Sequence, residues 1–186
     1  KEAKAYIDSG GNPSGTIVAK HAGVRRKNKA VHARIPMDEY AEIKTAVLKE
    51  GNWPDTEGVL RHYPKQVIAR DMKSYIDREL YIDHNENNGT EMGLISNASM
   101  EKIDGEDWGC LTVRVPESKL TDGFLTRIEN GLLRDVSSTH TMLFDESNPK
   151  EVTGIVGDSL SSVRDGAVDG ARIISIKRHI KNKQAQ

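Results

Sequence analysis

The sequence predicts a single domain of the α+β class. Three segments place apolar residues at helical spacing, and several shorter segments alternate apolar and polar residues as strands do. The chain has 186 residues, of which 36% are apolar, so it can form one sizeable hydrophobic core. We expect a flexible lead-in at 1–15, one domain at 16–180 and a polar tail at 181–186.

The first half of the chain is predicted to hold a hairpin and two helices. Residues 16–35 place two short apolar segments around the basic cluster RRKNK, which indicates a hairpin with a charged tip. Residues 37–50 have apolar side chains at helical spacing and are followed by Gly51, so they predict a packing helix. After a turn at 51–58, the clearest helix of the sequence begins near Pro64.

The middle of the chain is predicted to form a hairpin followed by a helix. Segments 93–103 and 107–115 have strand character and are joined by a turn at Asp104 and Gly105. The segment 116–133 then has apolar residues at helical spacing and ends in Asn-Gly-Leu-Leu, which suits a helix end.

The last third of the chain is predicted to consist mainly of strands. The predicted strands are 136–144, 151–157 and 171–180. The stretch 158–170 is polar and rich in Gly and Ser, so it is predicted to be a surface loop. No period of about 20 to 50 residues repeats along the chain, and a solenoid is therefore not predicted.

Charge and cysteine content exclude several classes of protein. Lys and Arg total 27 and Asp and Glu total 28, so no overall field draws the chain to nucleic acid or to a membrane surface. The single cysteine, Cys110, leaves no internal disulfide, fits a reducing cytoplasm and is predicted to be a packed strand residue. No two of the six histidines have metal-ligand spacing within one element, so no metal and no cofactor is predicted.

The ends of the chain carry no targeting signal that the sequence reveals. No run approaches the roughly 20 apolar residues that span a bilayer, and the first segment lacks the apolar core of a signal peptide. We therefore expect no contact with a membrane. The first residue is lysine rather than methionine, which fits a processed chain.

Two serines and a histidine are the candidates for chemistry. Ser137 and Ser138 lie where a predicted helix gives way to a strand, and His84 lies in a polar stretch between two other elements. A serine hydroxyl becomes a good nucleophile when a base takes its proton, and a neutral imidazole within hydrogen-bond reach is the usual base. The motifs of the familiar hydrolases, metalloproteases and nucleotide-binding proteins are absent from the sequence.

Short motifs in a fixed order resemble those of the prohead core proteases of tailed phages, which are similar in layout to the herpesvirus assemblins. The segments LRHYPKQVIARDMKSYI, IDHN and TRIENGLLRDVSSTH carry the resemblance, and two predicted strands separate the second from the third. In this family a Tyr-Pro-Lys helix start precedes a loop with the catalytic histidine, and a helix that ends in Gly runs into Val-Ser-Ser with the nucleophile. The resemblance covers residues 58–142 well and the two ends poorly.

The resemblance implies a set of catalytic residues. His84 matches the general base, and Ser137, the first serine of Val-Ser-Ser, matches the nucleophile, with Ser138 as its rival. The family's third member lies on a late strand, where His179 would complete a Ser-His-His set as in the assemblins. The alternatives for this third member, Asp165 and Asp169, come from the Gly-rich stretch before that strand.

The resemblance also implies a fold and a role. The fold is a small, mostly antiparallel β-barrel flanked by helices. Such proteases act inside the assembling prohead in the host cytoplasm, where they cleave scaffold and capsid proteins, commonly after glutamate, and finally cleave themselves. They would associate with scaffold, with major capsid protein and with further copies of themselves. A pocket for a glutamate side chain needs a cation, for which Arg114, Arg127 and Arg134 are candidates.

Two other classes of function remain open at this stage. A capsid scaffold or interaction protein could keep the fold without activity, and it would not need Ser137 and His84 to share a site. A nucleic-acid-binding domain could use the RRKNK tip and would bind DNA in a strongly salt-dependent way. The balanced charge and the shortage of aromatic residues near that tip argue against nucleic acid.

Overall fold

A computed structural model describes residues 17–21, 39–84 and 91–180, with the backbone alone described for 17–21. Ten strands lie in these ranges: β1 Ile17–His21, β2 Tyr40–Lys49, β3 Gly51–Pro54, β4 Leu60–Tyr63, β5 Glu79–Ile82, β6 Gly93–Ile103, β7 Glu106–Pro116, β8 Asp135–Asp145, β9 Asn148–Val163 and β10 Arg172–His179. The helices are α1 Lys65–Asp71 and α2 Asp122–Glu129, with 3-10 turns at Met72–Tyr75 and Glu117–Lys119.

Seven of the strands close into a barrel. The order around the barrel is β8-β10-β2-β7-β6-β5-β9, and β9 pairs with β8 to complete the circle. Neighbouring strands are antiparallel except β5 and β9, which run parallel. β1 adds to the edge of β8, and the β3–β4 hairpin extends from β9. The prediction of a mostly antiparallel barrel with flanking helices is confirmed at this level.

Helix α1 and the 3-10 turn after it pack closely on the barrel because two strands present glycines to them. A Cβ atom on Gly109 of β7 would lie 2.7 Å from the Ile68 side chain, and one on Gly157 of β9 would lie 2.4 Å from the Tyr75 ring. No real Cβ tolerates such distances, so only glycine allows this approach. The packing buries Ile68 and Tyr75 completely in the hydrophobic core.

The hairpin predicted in the middle of the chain is confirmed, and within the helix predicted at 116–133 the structure has a 3-10 turn at Glu117–Lys119 and α2 at Asp122–Glu129. β6 and β7 pair along their lengths and turn at Asp104 and Gly105, whose φ angles of 52° and 86° suit a type I′ turn. Thr121 caps α2 by accepting a hydrogen bond from the Phe124 N–H, and Gly131 follows the helix with a φ of 78°. Cys110 is buried in β7, and burial raises the pKa of its thiol to about 11, as fits a packed side chain.

The prediction of a helix at 37–50 is wrong, because residues 40–49 form β2. Its residues alternate between buried and half-buried positions at the start and are then all buried from Thr45 to Leu48. Successive side chains of a strand lie on opposite faces, so this run of buried residues means that both faces of β2 are covered there. A strand with both faces covered has a nearly continuous apolar run, which also satisfies helical spacing.

The prediction of a surface loop at 158–170 is wrong in its first half. β9 continues to Val163, and Ser159, Ser161 and Ser162 are buried there. This stretch pairs with β5 and β8 at once, so its backbone groups are hydrogen-bonded inside the fold, and the Ser162 hydroxyl donates to the Leu133 carbonyl. The turn predicted at 51–58 also shortens, because 51–54 form β3.

Several predictions fall partly or wholly outside the described residues. Of the hairpin predicted at 16–35, the structure describes only β1, which pairs with β8. The RRKNK tip, the lead-in at 1–15 and the tail at 181–186 lie outside the described ranges.

Candidate active site

The barrel wall is incomplete where β10 begins. β10 pairs with β2 over most of its length but with β8 only through Arg172 and Asp135. On the same side of β8, β1 pairs only with residues 141–145. Among the described residues, the stretch 137–140 of β8 therefore has ladder partners only on the side of β9. We call the gap between this stretch and the end of β2 the seam.

A cavity of about 330 Å³ lies at the seam. Its apolar wall comes from β2, the β3–β4 hairpin, β8 and the segment before β10, and includes Val47, Leu48, Trp53, Pro54, Val136 and Val168. Its polar lining includes Asp55, His84, Ser137, Ser138, Thr139 and His140. The cavity thus brings the serines and the histidine that the sequence singled out to one place, against an apolar wall.

Ser137 lies on β8 directly opposite Ser161 of β9. Because side chains of directly opposed residues lie on the same face of a sheet, the two hydroxyls are neighbours on one face, and Ser138 faces the other way. The Ser161 hydroxyl is fully buried and has no hydrogen-bond partner among the described residues. Ser137 is half-buried and lines the cavity, so it can be reached by a ligand.

The register of three strands explains how His84 comes close to β8. β9 lies between β5 and β8, and Ser162 pairs with Ile82 on one side and with Val136 on the other. The turn that follows Ile82 therefore emerges beside the start of β8. His84 is exposed in this turn and lines the same cavity as Ser137.

The backbone of this turn is held in an uncommon conformation. Asp83 and His84 both have φ near 54°, in the left-handed region that non-glycine residues rarely adopt. Two contacts fix the turn: the Asp83 N–H donates to the Ser162 carbonyl at 3.0 Å, and Arg127 of α2 donates to the Asp83 carboxylate at 3.1 Å. Such conformations persist where the surroundings impose them, and they recur at functional sites.

His140 forms a buried hydrogen-bond network that the sequence did not reveal. The Tyr63 hydroxyl lies 3.0 Å from His140 Nε2, the Tyr75 hydroxyl 2.9 Å from Nδ1, and Ser138 Oγ 3.4 Å from Nδ1. Tyr63 donates to the Met142 sulfur at 2.8 Å, so it accepts from the Nε2–H of the imidazole. Nδ1 then accepts the hydrogen of Tyr75, and every polar group of the network is satisfied.

Burial keeps this network uncharged. Desolvation lowers the pKa of His140 to about 4, and burial raises the pKa values of Tyr63 and Tyr75. The imidazole is therefore neutral at pH 7. The sequence did contain a signal for the contact between Ser138 and His140. The two residues are two positions apart on one strand, so their side chains lie on the same face.

The neutral, buried state of His140 predicts a pH-dependent stability. Between pH 6.5 and about 4 the unfolded chain binds a proton at this residue and the folded chain does not, so acidification over this window should cost about 3 kcal/mol of unfolding free energy. We expect urea unfolding curves to show this loss in the wild type, complete near pH 4. Over the same pH window, the unfolding free energy of the His140→Gln variant should fall by about 3 kcal/mol less than that of the wild type. Equal pH dependence of the two proteins would contradict the prediction.

Asp55 is a structural part of the cavity wall. Its side chain is fully buried; one oxygen accepts the N–H groups of Glu57 and Val59 at 2.9 Å, and the other accepts Arg61 at 3.0 and 3.1 Å. Although burial alone would raise the pKa of Asp55, these hydrogen bonds lower it, so the carboxylate stays charged. Both oxygens are engaged in holding the turn between β3 and β4.

His179 does not lie in the cavity with the other two predicted residues. It pairs with Tyr40 at the far end of β10, stacks on the Tyr40 ring and places its Nε2 3.3 Å from Glu42. The start of β10, at Arg172, is the part beside β8, and seven further residues of strand span roughly 20 Å. The Ser-His-His set that the resemblance implies is therefore not assembled from His84, Ser137 and His179.

The other residues singled out by sequence are also accounted for. Asp165 and Asp169 are exposed on the segment between β9 and β10, on either side of residues that line the cavity, and neither is itself part of the lining. Arg114 lies over the Tyr40 ring and 3.6 Å from Glu42, and Arg127 pairs with Asp83. Arg134 is exposed just before β8 and is not part of the cavity lining.

Two further findings concern the described ranges. No group of three or more His, Cys, Asp or Glu side chains in residues 39–84 and 91–180 is arranged to hold a metal ion. None of the helices in the described part of the chain is long and apolar enough to cross a membrane.

Comparison with known proteins gives no relative. No family model, no curated protein and no solved structure matches this chain. The residues that line the cavity at the seam therefore carry what the molecule itself reveals about its function.

Proposed function

We propose that this chain is a serine endopeptidase in which Ser137 is the nucleophile and His84 the general base. The observation that supports the proposal most is that these two residues, selected by type and motif and far apart in the chain, line one cavity. Among the described residues, the stretch 137–140 of β8 has ladder partners on one side only, and this supports the proposal further because an extended peptide can add to an unpaired strand edge.

The proposed reaction follows from the chemistry of these groups. His84 takes the hydroxyl proton of Ser137 as the oxygen attacks the peptide carbonyl, and it returns that proton to the departing amine. Water, activated by the same imidazole, then releases the acyl group from the serine. The Val136 N–H points towards β10, where it donates to Ala171, so by alternation the Ser138 N–H faces the seam and can stabilise the oxyanion.

The proposed biological role comes from the family resemblance. We propose that the chain acts as a prohead core protease with an assemblin-like barrel. Its substrates would be scaffold and major capsid proteins inside the assembling prohead in the host cytoplasm, and it would process itself. The alternatives are an inactive scaffold protein and a nucleic-acid-binding domain that would use the RRKNK tip, which lies outside the described residues.

The test is direct. Purified protein is incubated with scaffold-derived peptides and, separately, with a fluorophosphonate that labels activated serines, and the products are mapped by mass spectrometry. We expect new peptide termini and a label on Ser137. Folded protein that neither cuts nor becomes labelled would refute the proposal.

The position of His179 leads to a further prediction. Because this residue lies with Tyr40 and Glu42 at the far end of β10, His179→Ala should leave kcat/KM within about threefold of the wild type. A third member of a catalytic set would instead cost roughly 10-fold to 10⁴-fold. Steady-state cleavage of one peptide by the wild type and by His179→Ala distinguishes these two outcomes. A loss of kcat/KM beyond about tenfold would restore His179 to the catalytic set.

A further inference from the structure

The charge of the cavity bears on which side chain a substrate could place there. Among the described residues that line it, none is Lys or Arg, and the one carboxylate is Asp55. A substrate glutamate would therefore enter a largely apolar site in which no described lining residue supplies a cation, and in which the carboxylate of Asp55 is already paired with Arg61. Burying an unpaired charge is costly.

The histidines of the cavity do not supply the missing cation. His140 is buried and neutral, with both ring nitrogens engaged by tyrosine hydroxyls. His84 must be neutral to accept the serine proton, so it cannot be the partner of a carboxylate in the same reaction.

None of the three arginines that the sequence offered for this purpose is part of the cavity lining, and Arg134 is exposed just before β8. Arg127 pairs with Asp83 at 3.1 Å, and Arg114 lies at the other end of β10 with Tyr40 and Glu42. Arg61 is buried behind the cavity wall, where it donates to both Asp55 and the Pro149 carbonyl. Its charge is balanced by Asp55, so the pair presents no net positive charge.

The wall of the cavity suits an apolar side chain instead. Val47, Leu48, Trp53 and Val168 provide hydrocarbon surface beside Ser137, and the volume of about 330 Å³ lies in the range of small-ligand pockets. Transfer of a leucine-sized side chain from water to such a wall is favourable because it removes apolar surface from water.

From these observations we infer that the cavity binds an uncharged apolar side chain on the acyl side of the scissile bond, so that the enzyme cleaves after apolar residues and not after glutamate. The inference rests on the proposed endopeptidase function and specifies its substrate. It differs from the glutamate preference that the family resemblance implies.

Ala167 offers a way to test this without disturbing the core. It lines the cavity but is exposed, so a larger side chain can be placed there at the rim. The substrates are peptides identical except at the acyl-side residue, which is leucine, glutamine or glutamate. The proteins are the wild type, Ala167→Arg, which adds a cation, and Ala167→Gln, a neutral control of similar length.

We expect the wild type to cleave the leucine peptide at least about tenfold faster, in kcat/KM, than the glutamate peptide. Ala167→Arg should raise the ratio of kcat/KM for the glutamate peptide to kcat/KM for the leucine peptide by about tenfold. Ala167→Gln should leave this ratio within about threefold of the wild-type value. Preference of the wild type for glutamate would overturn the inference and leave the proposed function standing. If folded wild-type protein cut none of the peptides and resisted the serine label, the proposed function would fail first and the inference with it.

Discussion

Replacing Ser137 by alanine is expected to abolish peptide cleavage, with kcat/KM lower by about 10⁴-fold or more, because the attacking oxygen is lost. Ser137 is half-buried at the seam, and its hydroxyl is not part of the core network around His140. The fold should therefore survive. Circular dichroism and the urea midpoint of the variant should match those of the wild type, while mass spectrometry should find no new peptide termini.

Ser138→Ala is the matched control for this experiment. Ser138 is the neighbouring residue and has the same side chain, but it faces His140 and Tyr75 on the other face of β8. We expect its variant to retain kcat/KM within about tenfold, with a small loss of stability from the weakened network. Full activity in Ser137→Ala together with loss in Ser138→Ala would move the nucleophile by one residue and make His140 the nearest imidazole.

The second large effect is expected for His84→Ala, which should lower kcat by about 10² to 10⁴-fold, as is typical when a general base is removed. The residue is exposed in a turn held by contacts of its neighbour Asp83, so its removal should not unfold the barrel. Steady-state cleavage of one peptide by both proteins measures this loss. A variant that keeps more than about a hundredth of the wild-type kcat would contradict a general-base role for His84.

A control at the same turn separates chemistry from geometry. Asp83→Asn keeps the backbone hydrogen bond to Ser162 but weakens the ion pair with Arg127. Because that pair is exposed, its loss should cost little stability, and kcat should change far less than in His84→Ala. A comparable loss in both variants would mean that the turn's conformation, and not the imidazole, limits the reaction.

Local sequence patterns predicted the elements whose signals are short-range. The β6–β7 hairpin was predictable because Asp-Gly at its turn and alternation on either side agree, and the end of α2 because Asn130 and Gly131 mark it. β2 was not, because its run of buried residues fits a helix as well as a strand and its strand partners, β7 and β10, are distant in the chain. The buried serines of β9 escaped prediction for the same reason, since their burial is set by β5 and β8.

The candidate site was predicted in part. Ser137 and His84 follow from residue types and motif order, but their place in one cavity depends on the parallel pairing of β5 with β9, which no local pattern specifies. The assignment of His179 depended on its late strand alone, and strand membership does not determine which end of the strand lies near the site. His140 was missed because its partners, Tyr63 and Tyr75, come from elements far away in the sequence.

The seam also links barrel closure to ligand binding. β10 holds β8 by one ladder pair and two flanking hydrogen bonds, Val136 to Ala171 and Ile173 to Arg134, so local opening at this point breaks few contacts. The amide hydrogens of β8 beside the start of β10 should exchange with solvent through such openings well before the amide hydrogens in the rest of β8. A peptide bound along the seam would slow that exchange, and at a hundred times its Kd it would add about 2.7 kcal/mol to the stability of the closed barrel.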